Sequence, residues 1–183
     1  MTNILLTGGA GFIGFHTTLK LLQRGDAVIV IDNFNDYYDL SLKESRAKIL
    51  QKYKKISIVK ADISDMQTME KVFNNNKIDK ICHLAAQAGV RYSIENPFVY
   101  ERTNLLGTLV LLELCKKKNI KDFIFASSSS VYGNNKKMPF YEIDRVDTPI
   151  SLYAATKKFN EEVAYVYHHL FGLNCTGLRF FTV

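Results

Sequence analysis

Short apolar runs alternate with amphipathic segments along the whole chain. Six runs rich in β-branched residues predict strands, at 3–6, 27–31, 56–59, 80–83, 122–126 and 174–178. Five segments with helical spacing of apolar residues predict helices, at 12–23, 41–53, 64–74, 98–118 and 152–171. Because strands and helices alternate, we expect right-handed βαβ units that build one parallel sheet. The predicted fold class is α/β, a doubly wound Rossmann-like sheet of order 3-2-1-4-5-6 with ligands at the carboxyl ends of its strands.

The composition is typical of one globular domain. The 183 residues are 47% hydrophobic and 23% charged, which allows a substantial core. No apolar stretch approaches the roughly 20 residues that span a bilayer, so no membrane partner is expected. Cys82, Cys115 and Cys175 lie far apart in apolar contexts, without the spacing of metal ligands. They predict reduced thiols, a cytoplasmic protein and no metal site.

The net charge of +6 is a weak indicator of an anionic partner. The lysine runs at 52–55, 116–118 and 136–137 fall at predicted helix ends and in loops, where solvated surface is the ordinary interpretation. No zinc finger, helix-turn-helix signature or arginine-rich stripe accompanies them in the sequence. Nucleic acid is therefore not an expected partner.

A glycine cluster lies between the first predicted strand and the first predicted helix, where residues 7–14 read Thr-Gly-Gly-Ala-Gly-Phe-Ile-Gly. In this context Gly8 permits a tight turn, Gly11 lets the backbone approach a pyrophosphate, and Gly14 lets helix and strand pack closely. The helix N-terminus then presents its N–H groups and its positive dipole end to the phosphates. We interpret the cluster as a dinucleotide-binding turn; an ordinary βα turn is the alternative.

Two aspartates end predicted strands. At Asp32, after the second strand, a carboxylate accepts hydrogen bonds from the ribose hydroxyls of adenosine and repels a 2′-phosphate, so NAD is favoured over NADP. No arginine follows within residues 33–36 to reverse that preference. Asp62, after the third strand, is placed to meet the adenine, although an aspartate without a ligand is equally compatible with the sequence.

Two further motifs indicate acid–base chemistry. Tyr153 and Lys157 are four residues apart in the last predicted helix, so the phenol and the ammonium lie on one face. The ordinary pKa of tyrosine, about 10, is too high for a base at neutral pH, and we expect the lysine charge and the positive nicotinamide of an oxidised cofactor to lower it. Serines follow the fifth predicted strand, where a hydroxyl can bind a substrate oxygen and share a proton with Tyr153. These serines are Ser127, Ser128, Ser129 and Ser130.

Other polar residues have two interpretations each. Arg91 suits a substrate carboxylate or phosphate, because a guanidinium binds both bidentately, but a surface arginine is as compatible with the sequence. His83, inside a predicted strand, is interpreted as a hydrogen-bonded core residue. The irregular stretch at 133–150 is long enough to predict a functional loop.

The glycine turn, Asp32, the strand-end serines and the Tyr/Lys pair occur in an order that one sheet can bring together. The chain resembles the extended short-chain dehydrogenase/reductase family, in its branch of nucleotide-sugar epimerases and dehydratases. The resemblance runs from Thr7 to the last residue. Five blocks look like UDP-glucuronate 4-epimerases, at 32–38, 85–93, 127–133, 151–158 and 177–183.

The resemblance implies an NAD-dependent epimerase that converts UDP-glucuronate to UDP-galacturonate. Tyr153, as phenolate, removes the proton of the sugar 4-hydroxyl, with Ser128 bridging by hydrogen bond. The C4 hydride passes to NAD and returns to the other face of a 4-keto sugar, while Lys157 anchors the nicotinamide ribose and tunes Tyr153. Related dehydratases and decarboxylases carry an acidic residue in the serine turn, and its absence here favours epimerisation.

The resemblance also implies which residues contact the ligands. Substrate contacts are expected from Arg91, Ser128, Ser129, Ser130 and Thr182. Cofactor contacts are expected from Gly8, Gly11, Phe12, Ile13, Gly14, Asp32, Asn33, Asn35, Asp62, Ile63, Leu84, Ala85, Ala86, Gln87, Ala88, Asn104, Tyr153, Lys157, Phe180 and Phe181.

In relatives the chain continues into a substrate domain. We therefore expect residues 1–183 to be an NAD-binding domain cut before that C-terminal domain. The alternatives are a 4-epimerase of the UDP-glucose/galactose type and an NAD-binding module without turnover. The helices predicted near 98–118 and 152–171 resemble those that pair across a two-fold axis in relatives, which predicts a homodimer through a four-helix contact.

Overall fold

The computed structural model describes residues 1–182, so residue 183 of the predicted domain lies outside it. One sheet of six parallel strands forms its centre: β1 (Asn3–Thr7), β2 (Ala27–Asp32), β3 (Ile56–Lys60), β4 (Lys80–His83), β5 (Asp122–Ser128) and β6 (Asn174–Phe180). The order β3-β2-β1-β4-β5-β6 confirms the predicted doubly wound topology. The carboxyl ends of all six parallel strands lie along one edge of the sheet. The strand order reverses between β1 and β4, and ligands of doubly wound sheets bind at such a point on this edge.

Helices cover both faces of the sheet. They are α1 (Phe12–Arg24), α2 (Leu40–Leu50), α3 (Met66–Asn75), α4 (Tyr92–Glu95), α5 (Pro97–Tyr100), α6 (Gly107–Lys118) and α7 (Leu152–Phe171). On one face, Phe15 of α1 and Leu50 of α2 pack on the sheet around Leu6. On the other face, α3, α6 and α7 share a larger core that includes Leu5. Because successive strand side chains point to opposite faces, neighbouring leucines serve different cores, as a sheet covered on both sides requires.

The single long helix predicted at 98–118 is a compound element in the structure. It consists of α5, a π-helical segment (Glu101–Leu106) and α6. At Gly107, directly after the π-helical segment, a Cβ atom would come within 2.6 Å of Ile63 Cδ1. The missing side chain lets the helix pass close to the end of β3. Apolar spacing does not distinguish a locally wider turn from a regular helix, so the sequence predicted one continuous element.

The irregular loop at 133–150 is fastened by its own contacts. The Asp144 carboxylate accepts hydrogen bonds from Lys137 Nζ (2.8 Å) and from the Tyr141 amide (2.9 Å). Phe140 stacks on Tyr132, with 4.5 Å between the ring centroids. Tyr132 ends a 3-10 turn (Ser129–Tyr132) that directly follows β5. The loop is therefore held beside the carboxyl end of that strand.

Among residues 1–182, none of the helices has the length and apolar character that a membrane-spanning helix needs.

Candidate active site

The glycine turn joins β1 to α1. Gly8 has a φ of +75°, and a Cβ atom there would lie 2.7 Å from the Ala85 amide nitrogen. A Cβ atom on Gly14 would overlap the Gly8 carbonyl oxygen, so both positions need glycine. At the start of α1, Gly11 provides no side-chain cap and the first turn holds no acidic residue. The N–H groups of that turn are therefore available to an anionic ligand.

Asp32 lies buried at the carboxyl end of β2, beside the glycine turn. One carboxylate oxygen accepts a hydrogen bond from the Ala10 amide (3.0 Å), and the other accepts one from the Phe34 amide (2.9 Å). These bonds fix the orientation of the carboxylate. Each oxygen keeps further lone pairs that can accept a ligand hydroxyl.

Two adjoining cavities, of about 190 and 610 Å³, lie along this edge of the sheet. Both are lined by Gly8, Gly11, Leu84, Ala86 and Ala88, so they form one continuous cleft. All the predicted cofactor-binding residues except Asn104 line this cleft, as do Ser128, Ser129, Ser130 and Thr182. The tertiary structure thus brings together segments from every crossover of the sheet; their contact with a cofactor or substrate stays a prediction.

Ser128, Tyr153 and Lys157 line the larger cavity. Ser128 ends β5, where its Oγ accepts hydrogen bonds from the Ser130 hydroxyl (2.9 Å) and amide (3.2 Å). The phenol of Tyr153, in the first turn of α7, lines the same cavity near Ser128. One turn later, Lys157 Nζ donates to the Ala126 carbonyl (2.8 Å) and lies 6.0 Å from the centroid of the Tyr153 ring.

Burial controls the acid–base properties of this trio. It raises the pKa of Tyr153 above the ordinary value, although the nearby Ser128 hydroxyl opposes the rise. Burial lowers the pKa of Lys157 to about 8. The sequence predicted that the charges of Lys157 and of a bound nicotinamide together lower the pKa of Tyr153. In the protein alone, the Lys157 charge does not offset the effect of burial, and the combined effect stays a prediction. The ammonium binds the Ala126 carbonyl, and the phenol has lost the water that stabilises a phenolate.

His83 is a core residue, as expected. Its ring nitrogens form hydrogen bonds with the hydroxyls of Thr7 (2.7 Å) and Thr108 (3.0 Å). Burial and the nearby charge of Lys157 lower the pKa of His83 to about 3. The imidazole is therefore neutral over the physiological pH range, and its role is to join β1, β4 and α6.

A second network lies behind the serine turn and was missed by the sequence analysis. Glu161 Oε1 accepts a hydrogen bond from Ser127 Oγ (2.6 Å), and both Glu161 oxygens accept bonds from Arg179, each 2.9 Å long. Burial would raise the pKa of Glu161, but these bonds lower it below its ordinary value. The available signal was spacing, because Glu161 follows Tyr153 and Lys157 at intervals of four residues.

Two of the predicted site residues do not line the cleft. Asn104 is buried behind its wall, where Oδ1 accepts from the Gln87 amide (2.8 Å) and Nδ2 donates to the Gln87 carbonyl (3.0 Å). Asn104 Nδ2 also donates to Thr156 Oγ1 (3.0 Å), which fastens the wall to α7. Arg91 lies exposed at the start of α4.

Several lining residues were not predicted. Tyr37 and Tyr38 fall inside the 32–38 block that carried the resemblance, so that block was the signal for them. Lys43 had no such signal, because it is one polar position in a mostly polar helix. The others are Ile31, Ala61, Val90, Thr103 and Ala126.

The cleft fits a dinucleotide. It offers backbone donors at the glycine turn, a fixed acceptor at Asp32 and apolar walls. Gln87 lines it too, and the buried Gln87 Nε2 has no hydrogen-bond partner within residues 1–182. A buried amide of this kind needs an acceptor, which either a ligand or an ordered water supplies. The described residues contain no group of three or more His, Cys, Asp or Glu side chains that could hold a metal ion.

Comparison with known proteins assigns the chain to a family. A family model described as GDP-mannose 4,6 dehydratase matches residues 5–183. The chain belongs to this family. The match confirms the resemblance to extended short-chain dehydrogenases/reductases and the NAD-dependent epimerase/dehydratase branch.

Members of this family resemble the chain in both sequence and structure. UDP-glucuronate 4-epimerase 2 of Arabidopsis thaliana is 53% identical over 182 residues, which are 99% of this chain and 42% of that protein. The crystal structure of UDP-glucose 4-epimerase from Bifidobacterium longum, in complex with NAD⁺ and UDP, matches with a TM-score of 0.87 and 36% identity, over 97% of this chain and 52% of that one. UDP-N-acetylglucosamine 4-epimerase from Methanobrevibacter ruminantium, in complex with UDP-N-acetylmuramic acid, matches with a TM-score of 0.84 and 35% identity, over 97% and 54%. The chain spans about half the length of these family members.

Proposed function

We propose that this chain is the NAD-binding portion of a nucleotide-sugar 4-epimerase that interconverts UDP-glucuronate and UDP-galacturonate. One observation carries the proposal: Ser128, Tyr153 and Lys157 line a cavity continuous with the cleft at the glycine turn and Asp32, and no carboxylate of residues 1–182 lines that cavity. Dehydration needs an acid to expel water from the sugar, so a cavity lined by hydroxyls and one ammonium supports epimerisation. NAD is the cofactor of the family, and solved relatives contain it.

The side chains have separate roles in the proposed reaction. When bound, NAD accepts a hydride from C4 of the sugar and returns it. Tyr153 Oη takes the proton from the 4-hydroxyl and later gives it back, and Ser128 Oγ holds the substrate oxygen in line with the phenol. Lys157 binds a ribose hydroxyl of the cofactor and keeps a positive charge near Tyr153. Burial raises the pKa of Tyr153. The positive nicotinamide of bound NAD would supply a second charge, besides that of Lys157, that favours the phenolate at neutral pH.

A matched pair of variants tests this role. We expect Tyr153→Phe to reduce epimerisation by about 100-fold or more, because the proton acceptor is lost. Its NAD affinity, measured by calorimetry, should stay within about threefold of the unchanged protein. Tyr165→Phe, an exposed tyrosine on the same helix, is the control and should keep full activity. Equal activity of Tyr153→Phe and the control would refute the assignment.

The relatives are named for different UDP-sugars, so the identity of the sugar needs its own support. Support for UDP-glucuronate comes from the 53% identity to a UDP-glucuronate 4-epimerase. The alternative substrate, UDP-glucose, is named for the solved relative at 36% identity. The two are separated by assaying both sugars with the full-length protein, and a preference for the neutral sugar would favour the alternative. NAD binding without turnover of either sugar would instead indicate a non-catalytic module.

We also propose that the protein forms a homodimer through the segment at 98–118 and α7. Along α7, Leu152, Phe159 and Val166 recur every seven residues and are 38–45% exposed. An apolar stripe with this spacing suits helix packing against a second copy. A cytoplasmic location stays a prediction from the three free cysteines.

A further inference from the structure

Lys43 of α2 is a buried cation in the cofactor cleft. It is 5% exposed and lines the smaller cavity together with Asp32 and Asn35. Lysine is almost never buried without a partner, because removing the ammonium from water is costly. The burial of Lys43 is therefore not that of an ordinary lysine on a helix surface, and it needs a physical explanation.

The polar contacts of Lys43 are with the last residue of β2 and with the loop that follows it. Its Nζ donates to the Asn35 carbonyl (3.1 Å) and to Asn35 Oδ1 (2.6 Å). Asp32 Oδ1 is 3.8 Å away, which is an ion pair but too long for a hydrogen bond. An ammonium has three N–H donors, so one donor has no partner among these contacts. It lies at the end of the cleft where Asp32 is expected to meet the adenosine ribose.

Cationic side chains surround the Asp32 carboxylate at this end of the cleft. The negative charge of Asp32 is balanced by Lys43, whose ammonium also lies 5.0 Å from the centroid of the Tyr38 ring. Arg46, one turn further along α2, donates to the Ala10 carbonyl (3.3 Å) and to the Tyr38 hydroxyl (3.2 Å). A second cation thus borders the site. Asp32 alone therefore does not set the electrostatic preference between a ribose hydroxyl and a 2′-phosphate.

We propose that Lys43 is a cofactor-binding and specificity-determining residue, which donates a hydrogen bond to the adenosine ribose and acts jointly with Asp32. The pair binds ribose hydroxyls, because the carboxylate accepts hydrogen bonds from them and the ammonium donates a hydrogen bond to them. It disfavours a 2′-phosphate only while the carboxylate is present. Without that carboxylate, the same ammonium attracts the phosphate.

The first test measures binding of NAD and of ADP-ribose, which lacks the nicotinamide, by calorimetry. Lys43→Met should weaken both about tenfold or more, since a hydrogen bond from a charged donor is lost. Lys48→Met, on the same helix with an exposed side chain, should bind both as the unchanged protein does. This test requires no sugar substrate, so its outcome is independent of the proposed epimerase activity. Unchanged affinity of Lys43→Met would overturn the proposal.

The second test is a double-mutant cycle with NADP. Asp32→Asn should improve NADP binding relative to NAD by about tenfold, and the double variant with Lys43→Met should show no such gain. If Asp32→Asn gains equally with and without Lys43, the ammonium does not read the 2′-position and the proposal fails. Melting curves without ligand check folding of each variant. If Lys43→Met does not fold, Lys43→Gln replaces it in both tests, with the same expected and refuting results.

Discussion

At the scale of single residues, burial rather than sequence spacing decides the chemistry of this site. Tyr153 and Lys157 have the sequence separation of a phenol–ammonium pair. Loss of hydration nevertheless dominates both groups, because burial raises the pKa of Tyr153 and lowers that of Lys157. The ammonium remains partnered because Lys157 Nζ donates to the Ala126 carbonyl (2.8 Å). A charged lysine in this buried position lowers the stability of the fold. Functional sites often contain such destabilising groups.

Replacement of Lys157 should therefore stabilise the protein while reducing its proposed activity. With a folded pKa of about 8, the unfolded chain binds more protons than the folded chain between about pH 8 and 10.4. Stability of the unchanged protein therefore rises with pH across that window, and the penalty is fully present at pH 7. We expect Lys157→Met to gain about 2 kcal/mol at pH 7 and little at pH 10, after allowance for the lost hydrogen bond to Ala126.

Urea unfolding of both proteins at pH 7 and pH 10 measures this difference. Lys158→Met is the control, because Lys158 pairs with Glu162 on the surface of the same helix. A stability gain for Lys157→Met that is the same at both pH values would contradict burial as the cause.

At the scale of elements, α7 connects the reacting groups to the edge of the sheet. Tyr153, Lys157 and Glu161 lie along one face of this helix, and Glu161 reaches both Ser127 of β5 and Arg179 of β6. The strand register places Ser127 directly opposite Arg179. One carboxylate therefore fixes the strand end that carries Ser128.

Glu161→Gln should destabilise the fold by about 2 kcal/mol, since it removes the charge partner of a largely buried guanidinium. For a domain of this size the melting temperature should fall by roughly 4–8 °C at pH 7. Because the folded pKa of Glu161 is lowered, its stabilisation is present above the ordinary carboxyl pKa and lost as pH falls through the folded value. The difference between the two proteins should accordingly shrink below about pH 4.

Glu162→Gln is the matched control for this prediction. The side chain of Glu162 is 62% exposed and pairs with Lys158 on the surface, so its replacement should change stability by about 0.5 kcal/mol or less. Thermal melts of both variants at pH 7 decide the question. Equal losses would mean that the network behind the serine turn contributes no more than a surface pair.

At the scale of the whole molecule, the apolar stripe of α7 is the feature that a second copy would cover. We expect Val166→Glu to convert a dimer to a monomer, because a charge would be buried against the partner helix. Leu42→Glu, at an exposed leucine on α2, should leave the oligomeric state unchanged. Light scattering measures both, and a monomeric unchanged protein would contradict the homodimer.

The fold was largely predictable because its signals are local. Alternating apolar runs predicted all six strands, and the observed sheet order is the doubly wound order expected for right-handed βαβ units with a dinucleotide-binding turn. The π-helical segment before α6 was not predictable, since the constraint at Gly107 comes from Ile63, a residue distant in sequence. The boundaries of the predicted helix at 41–53 also differ, because α2 is Leu40–Leu50 and starts at the Asp39 cap.

The sequence by itself determined the parallel sheet, the glycine turn, the strand-end positions of Asp32 and Ser128, and the Tyr/Lys pair on one helix face. These depend on spacing and periodicity, which are properties of the chain alone. Only the tertiary structure decided that Asn104 lies behind the wall, that Lys43 balances Asp32 and that burial raises the pKa of Tyr153. Such features depend on which distant segments pack together and on how much water that packing removes, and no local pattern carries this information.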